Sequence, residues 1–272
     1  DGKTVVMLVN DPGYATQDGG LFGGNAMTYY GRWTYKFEEA ARQGAAGAIV
    51  VHQTGPAGYP WGVVQTSWSG PQSYLERADN NMSRCAVEGW IGEEEAGELF
   101  QMAGKSFQSL ADLASTRDFE AVPLGLSASV SIQNGIRRSS SNNVLALLRG
   151  TERSDEILIY MAHWDHLGSD ETLEGDQIYN GARDNAMGTA ALIELAEAFT
   201  SLDTPLERSV LFLAVTAEEQ GLLGSAYYAS NPVFPLSETV AAINIDAAGI
   251  WGRTHDVTIV GLGNSDLDDY IT

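Results

Sequence analysis

Residues 209–215 read Ser-Val-Leu-Phe-Leu-Ala-Val, an almost unbroken apolar run that follows Glu207 and Arg208. Such a run is typical of a strand inside a parallel sheet, because helices cover both faces of that sheet and neither face meets water. Glu156–Met161 and Thr239–Asn244 are further apolar strand candidates on either side of it. Residues 209–215 are thus predicted to form a central strand, and the other two runs are predicted to be further strands of the sheet.

Helical patterns lie between these strands. Asn185–Thr200 has apolar side chains at helical spacing, at Leu192, Leu195, Ala196 and Phe199. We also expect a helix at Gly221–Ala229 and another strand at Asp256–Val260. An alternation of strands and helices predicts an α/β fold with a doubly wound, mostly parallel sheet.

The first half of the chain predicts a second, smaller α/β unit. Helices are expected at Phe37–Gln43, which Gly44 suits as a cap, and from Gly92 to Phe100. Residues 53–72 show no period and are interpreted as a loop. The expected strands of this unit are Thr4–Val9, Gly47–His52 and Val87–Ile91. The pattern changes near Glu120–Pro123, after which we expect an exposed strand at Leu126–Ile132 and another strand at Asn143–Leu148.

Composition narrows the classes of function. The 272 residues carry a net charge of −21, from 36 acidic and 15 basic side chains, which argues against a nucleic-acid partner. No apolar run approaches the roughly 20 residues that a membrane helix needs. The single cysteine, Cys85, cannot form a thiolate metal site, so a transition metal would have to bind His, Asp and Glu.

Polar residues stand where the predicted strands end. His163 and Asp165 follow the first strand, Glu218 and Glu219 follow the second, and Asp246 follows the third. Ligands in open α/β sheets bind beyond the carboxyl ends of the strands, so these groups should meet at one edge. Asp184 would join them from the start of a helix. So many carboxylates around one histidine predict a divalent cation, with zinc as a suitable ion.

Each of these residues also has an ordinary explanation by itself. A His-x-Asp pair is often a simple hydrogen bond, adjacent glutamates are usually solvated, and Asp184 could cap its helix. Asp246 could be a turn residue. It is their shared position at one sheet edge that favours a metal site.

Four segments together resemble the co-catalytic zinc exopeptidases, the family of bacterial leucyl aminopeptidase and glutamate carboxypeptidase II. They are Ala162–Gly168, Asn180–Gly188, Thr216–Ser225 and Asn244–Asp246. The resemblance spans Asn142 to Leu267 and predicts a zinc peptidase domain at residues 125–272. Through Gly2–Asn10 and Phe37–His52, residues 1–124 resemble the protease-associated domain that is often inserted into such enzymes.

The resemblance implies two zinc ions and a role for each ligand. His163 and Asp246 would bind one ion, Glu219 would bind the other, and Asp184 would bridge both. Peptides or small proteins would be the substrates, and the protein would be exported.

It also implies roles for two residues that do not bind metal. Asp165 would orient His163, and Glu218 would be the general base that takes a proton from the attacking water. The peptide bond between Asp184 and Asn185 is expected to be cis.

The family pattern includes one more histidine ligand, supplied late in the domain. His255 comes too early for it and is interpreted as a surface residue, so we expect the chain to lack that ligand and also the first strands of the domain. The second ion should then bind weakly. His166 is interpreted as a loop histidine with a hydrogen-bond partner, and His52 as the end of a strand.

Several functions remain open at the level of sequence. An aminopeptidase is the leading interpretation, and a carboxypeptidase would share the same zinc core. A non-catalytic receptor-like module would have lost metal ligands, whereas all those expected in this segment, save the late histidine, are present. A glutaminyl cyclase on a similar fold would hold one zinc ion instead of two.

Overall fold

The structure, a computed structural model, describes residues 2–22, 24, 27–247, 249, 252, 255 and 266–271. The chain forms two compact units, the first mainly residues 1–71 and 76–133 and the second mainly residues 134–257. None of the helices formed by the described residues is long and apolar enough to cross a membrane. The predicted strand at Asp256–Val260 lies outside the described residues.

The first unit is built on a parallel sheet with the strand order β1-β2-β3. The sheet comprises β1 (Thr4–Leu8), β2 (Gly47–Val51) and β3 (Val87–Ile91). Its helices are α1 (Pro12–Thr16), α2 (Trp33–Arg42), α3 (Thr54–Ala57), α4 (Trp61–Ser67), α5 (Glu93–Met102) and α6 (Phe107–Ala114). The three strands and the two longer helices confirm the elements expected from the sequence of this half.

The middle strand of this sheet, β2, is buried on both faces. Ala48 and Val50 pack in a cluster with Phe37 of α2, whereas Val51 packs with Phe100 and Phe107 of α5 and α6. Successive side chains of a strand point to opposite faces, so one strand contributes to both clusters. Cys85 is buried in the first of these clusters, and burial raises the pKa of its thiol.

Two expectations for the first half are wrong. Residues 53–72 contain α3 and α4 and are not simply a loop, because helices of four and seven residues are too short to show a clear period. Leu126–Ile132 alternates as a strand would but forms no strand in the described structure, and Val130 is 62% exposed. A strand is stabilised by its neighbours, and among the described residues none pairs with this segment.

The second unit contains a four-stranded sheet with the order β4-β6-β5-β7. Strands β5, β6 and β7 are mutually parallel and β4 runs antiparallel at one edge. This confirms the α/β class and the mostly parallel sheet. The strands are β4 (Val144–Leu148), β5 (Arg153–His163), β6 (Arg208–Val215) and β7 (Thr239–Asn244), with helices α7 (Met187–Thr200) and α8 (Leu223–Ser230). A last short helix, α9 (Asp268–Ile271), belongs to the first unit.

Strand β5 lies between β6 and β7, and this order positions the site. Ile157 and Ile159 of β5 pack with Leu211 and Leu213 of β6 in the core of the unit. Because the three strands are parallel, their carboxyl ends meet at the same edge. The residue that ends β5 therefore has the loops after β6 and β7 as its two neighbours.

Candidate metal centre

His163 ends β5, and hydrogen bonds to α7 and β6 fix the backbone at this point. Thr189 of α7 donates a hydrogen bond to its carbonyl oxygen at 3.0 Å, and the Trp164 amide donates to the Val215 carbonyl of β6 at 3.0 Å. Only 2% of the His163 side chain is exposed. The imidazole therefore has a defined place at the carboxyl edge of the sheet.

The two ring nitrogens of His163 have different surroundings. Nδ1 lies 3.0 Å from the carbonyl oxygen of Asp165, which can only accept, so Nδ1 carries the hydrogen. Nε2 is buried and has no hydrogen-bond partner among the residues that the structure describes. It faces three carboxylates, at 3.0 Å from Asp184 Oδ1, 3.6 Å from Asp246 Oδ1 and 3.9 Å from Glu218 Oε2.

A buried nitrogen lone pair that faces three carboxylates is unfavourable without a cation between them. The donor set of imidazole and carboxylate oxygens suits zinc. His163, Asp184 and Asp246 can each offer a ligand atom within 4.8 Å of the others. These residues therefore fit the ion that the sequence predicts.

The carboxylate of Asp165 holds the loop after β6. Its Oδ1 accepts from the Glu218 amide at 3.0 Å and its Oδ2 accepts from the Glu219 amide at 3.2 Å. His163 is bonded instead to the carbonyl of Asp165, and the carboxylate is 3.7 Å away from the ring. Asp165 thus joins the end of β5 to both glutamates, a contact that the sequence did not predict.

Asn143 fixes the same loop from the other side. Its side chain accepts from the Thr216 amide at 3.1 Å and donates to the Gly224 carbonyl at 2.8 Å. The Gly224 amide also donates to the Thr216 carbonyl at 2.9 Å. Residues 216–224, which carry both glutamates, are therefore closed into a compact turn.

Asp184 and Asp246 are brought together by the neighbouring Asn185. The Asn185 side chain is buried, donates to the Ile245 carbonyl at 2.9 Å and accepts from the Gly188 amide at 3.0 Å. The peptide bond between Asp184 and Asn185 is cis, as the resemblance implied. Sequence reasoning missed this role of Asn185, since nothing in the motif indicates which carbonyl its amide would reach.

A second group of possible ligands comprises His166, Asp184 and Glu219. Nδ1 of His166 lies 2.8 Å from Oε1 of Glu219, so His166 does have the hydrogen-bond partner that was expected. That partner is itself a predicted metal ligand. The two groups share Asp184, the residue to which the resemblance gives the bridging role.

Burial and like charges dominate the electrostatics of the site. Burial, and then the neighbouring Glu219, Asp246 and Asp165, raise the pKa of Glu218 to about 7, although His163 opposes this shift. The pKa of Glu219 is raised first by burial and then by Asp184. Burial lowers the pKa of His163, but Glu218 and the other acidic neighbours outweigh it and the net shift is upward. These shifts describe the site with no cation bound.

The remaining histidines lie outside both groups. His52 is buried in the first unit, where its Nε2 contacts the Tyr59 carbonyl at 2.9 Å and its ring packs near Trp61. His255 is exposed, as expected. Neither residue belongs to a cluster of possible ligands among the described residues.

Comparison with known proteins finds a family match for the second half of the chain. Residues 143–272 match the model of Peptidase family M28. This part of the chain is therefore similar to peptidase family M28. The match includes all six residues to which the resemblance assigns a role.

Similar proteins match part of the chain. Mouse aminopeptidase NAALADL1 is 33% identical over 129 residues, which make up 46% of this chain and 16% of that protein. A probable zinc metalloprotease of Leptosphaeria maculans is 30% identical over 108 residues, or 40% of this chain and 24% of that protein. The chain thus matches only a small part of the length of these relatives.

A solved aminopeptidase, from Aneurinibacillus sp. strain AM-1, aligns with 91% of this chain and 51% of its own. The identity is 18% and the TM-score is 0.38.

Proposed function

We propose that this protein is a zinc-dependent exopeptidase of family M28, and specifically an aminopeptidase. The observation that carries the proposal is the buried Nε2 of His163, which faces the carboxylates of Asp184, Asp246 and Glu218 with no hydrogen-bond partner in the described structure. The names of the mouse aminopeptidase and the fungal zinc metalloprotease support both the metal and the peptidase activity.

The proposal assigns each ligand to an ion. His163 and Asp246 hold one zinc ion, Glu219 holds the other, and Asp184 belongs to both. Support comes from the two groups of possible ligands, which have Asp184 in common. The Asp184 side chain is 49% exposed, so its carboxylate lies where the site opens to solvent and substrate.

Two zinc ions would lower the pKa of a water molecule and polarise the scissile carbonyl. Glu218 accepts the proton of that water and transfers it to the leaving amine. Its carboxylate borders the site at 3.9 Å from His163 Nε2, and its backbone amide is held by Asp165. Asp165 positions both the proposed base and a proposed metal ligand, because its carbonyl oxygen also accepts a hydrogen bond from the His163 ring.

The proposal extends to the first unit and to the location of the protein. Residues 1–124 form a protease-associated domain, and the protein is exported. The parallel α/β sheet of this unit is compatible with the first assignment, and the second rests on the family alone. Detection of the protein outside the cytoplasm by cell fractionation would test the location.

Metal content and substrate preference test the function. The purified protein, dialysed against excess zinc, should hold one ion tightly and a second ion more weakly by plasma emission spectroscopy, and it should hydrolyse aminoacyl-anilides in a reaction that a chelator abolishes. One ion with cyclisation of N-terminal glutamine would indicate a cyclase instead. Two ions with release of C-terminal residues would indicate a carboxypeptidase, and no bound metal would support a receptor-like module.

A further inference from the structure

Two hydrogen bonds hold Glu219 in place. Its backbone amide donates to Oδ2 of Asp165 at 3.2 Å, and its Oε1 lies 2.8 Å from Nδ1 of His166. Among the residues that the structure describes, only Oε1 of this carboxylate takes part in a hydrogen bond. The other oxygen, Oε2, is therefore the one left for the proposed zinc ion.

The contact between His166 and Glu219 has a defined donor. A carboxylate oxygen can only accept, so Nδ1 of His166 carries the hydrogen. Only 23% of the His166 side chain and 18% of the Glu219 side chain are exposed, so water competes little for this hydrogen bond. Hydrogen bonds to a charged group are also stronger than those between neutral groups. The bond can therefore fix the direction of the carboxylate.

The chain holds His166 in this place by packing. A Cβ on Gly181 would lie 2.8 Å from Cγ and 2.9 Å from Cβ of His166, so the histidine packs directly on the backbone at Gly181. Gly181 has φ +61°, a conformation that favours glycine, and it precedes the turn that carries Asp184. Tyr179 packs edge-on against the His166 ring, with centroids 6.5 Å apart. The histidine thus lies against the segment that supplies the other proposed ligand of the same ion.

We propose that His166 is a positioning residue of the metal centre, which donates from Nδ1 to Oε1 of Glu219 and so directs Oε2 towards the ion. Carboxylates that bind metal are themselves hydrogen-bonded, and loss of such a partner weakens metal binding. The inference rests on the proposed function, because it needs a metal ion on Glu219, but not on how many ligands complete the coordination of that ion. The alternative is that His166 binds the ion itself, since it belongs to the second group of possible ligands.

Two substitutions of His166 test the hydrogen bond. His166→Ala removes the donor and should bind one of the two zinc ions ~10–100-fold less tightly, the usual cost of losing an outer partner. In His166→Asn the amide nitrogen is attached to Cγ, as Nδ1 is in histidine, so the donor is kept although an amide is a poor zinc ligand. This variant should restore most of the lost affinity. Competition with a chromophoric chelator measures both affinities, and the affected ion should be the one that Glu219→Gln also weakens.

Nuclear magnetic resonance tests whether His166 touches the ion. Long-range proton–nitrogen spectra of the imidazole rings show which nitrogens carry hydrogen and which bind zinc. The chain has four histidines, and the signals missing in His166→Asn identify those of His166. We expect hydrogen on Nδ1 of His166 both without and with zinc, whereas Nε2 of His163 should shift when zinc binds. Zinc on either ring nitrogen of His166 would overturn the inference.

The outcomes separate this inference from the proposed function. If zinc binds the wild type but His166→Ala binds both ions equally well, or if His166→Asn is as weak as His166→Ala, the inference fails and the proposed function stands. If the wild type binds no zinc, both fail. His255→Ala is the control, since His255 is exposed and outside both ligand groups, and it should bind zinc with unchanged affinity. Circular dichroism checks the fold of each variant, and the spectra of the wild type decide the role if a variant misfolds.

Discussion

At the scale of single residues, neighbouring groups of the same chemistry have different surroundings. Glu218 faces His163 Nε2, whereas Glu219 contacts His166 on the other side of the loop. Both glutamates have backbone amides that donate to the same carboxylate, that of Asp165. The backbone is thus fixed while the side chains diverge, which allows one to bind metal and the other to move a proton.

We predict different losses from the two glutamates. Glu218→Gln should keep both zinc ions and lower kcat by ~10²–10⁴, the usual contribution of general-base catalysis, with little effect on KM. Glu219→Gln should lose zinc, because a neutral amide is a poor ligand. Steady-state hydrolysis of aminoacyl-anilides and zinc analysis of each variant measure these effects. If Glu218→Gln lost zinc while Glu219→Gln retained it, Glu218 would be the metal ligand and Glu219 the general base.

Asp184 is predicted to hold both ions. Asp184→Ala should therefore bind neither zinc ion tightly, since each of the two ligand groups loses a member. Asp203→Ala is the matched control, because Asp203 is an exposed aspartate before β6 and belongs to neither group. Full zinc occupancy in Asp184→Ala, measured by plasma emission spectroscopy, would contradict the bridging role.

The raised pKa of Glu218 predicts how the metal-free protein responds to pH. Burial raises the pKa from its ordinary 4.5 to about 7, so the folded state binds this proton more tightly than the unfolded state. The stabilisation that this proton gives to the folded state is therefore complete below pH 4.5 and is lost as the pH rises through 7.

Thermal unfolding in a chelator should show this loss. Glu218→Gln should melt near the wild-type temperature at pH 4 and at a higher temperature than the wild type at pH 8. Glu94→Gln, an exposed glutamate of α5, should differ little from the wild type at either pH. Equal Tm values for Glu218→Gln and the wild type at pH 8 would contradict the raised pKa of Glu218.

At the scale of elements, the start of α7 is joined to the end of β7. The Asn185 side chain reaches the Ile245 carbonyl and the Gly188 amide, and a Cβ on Gly188 would lie 2.6 Å from that carbonyl. The close approach of helix and loop requires glycine here. Asp184 and Asp246, which flank these residues, depend on this contact for their separation.

Asn185→Ala should damage both stability and metal binding. It leaves the Ile245 carbonyl and the Gly188 amide without this partner, at a cost of about 1–3 kcal/mol in the free energy of unfolding. Zinc affinity should fall as well. Urea denaturation and chelator competition measure the two effects. Asn231→Ala, whose side chain makes an exposed hydrogen bond to Tyr227, should change both by far less.

At the scale of the whole molecule, the predicted metal ligands all belong to the second unit. Binding to the folded state alone stabilises that state, by about 2.7 kcal/mol for a ligand at 100 times its Kd. Zinc should therefore slow amide hydrogen exchange in β6, where Leu211 and Leu213 lie in the core. Exchange in β2 of the first unit should not change. Equal protection of both strands by zinc would show that the units unfold together.

The sequence by itself determined the elements and the chemistry of the site. Runs rich in apolar residues predicted all seven strands found in the described structure, and polar residues at the strand ends predicted where ligands would meet. Sequence reasoning failed at residues 53–72, where the helices are too short to show a period, and at Leu126–Ile132, which alternates like a strand but pairs with none of the described strands.

Only the tertiary structure decided which groups face each other. The order β4-β6-β5-β7 places His163 between the loops that carry the glutamates and Asp246, and lateral strand order depends on contacts between residues far apart in the chain. The same folding brings His166 to Glu219 and Asn185 to Ile245. A local motif gives the identity of these residues but not their partners, because side-chain direction is fixed only when the sheet and its loops have packed.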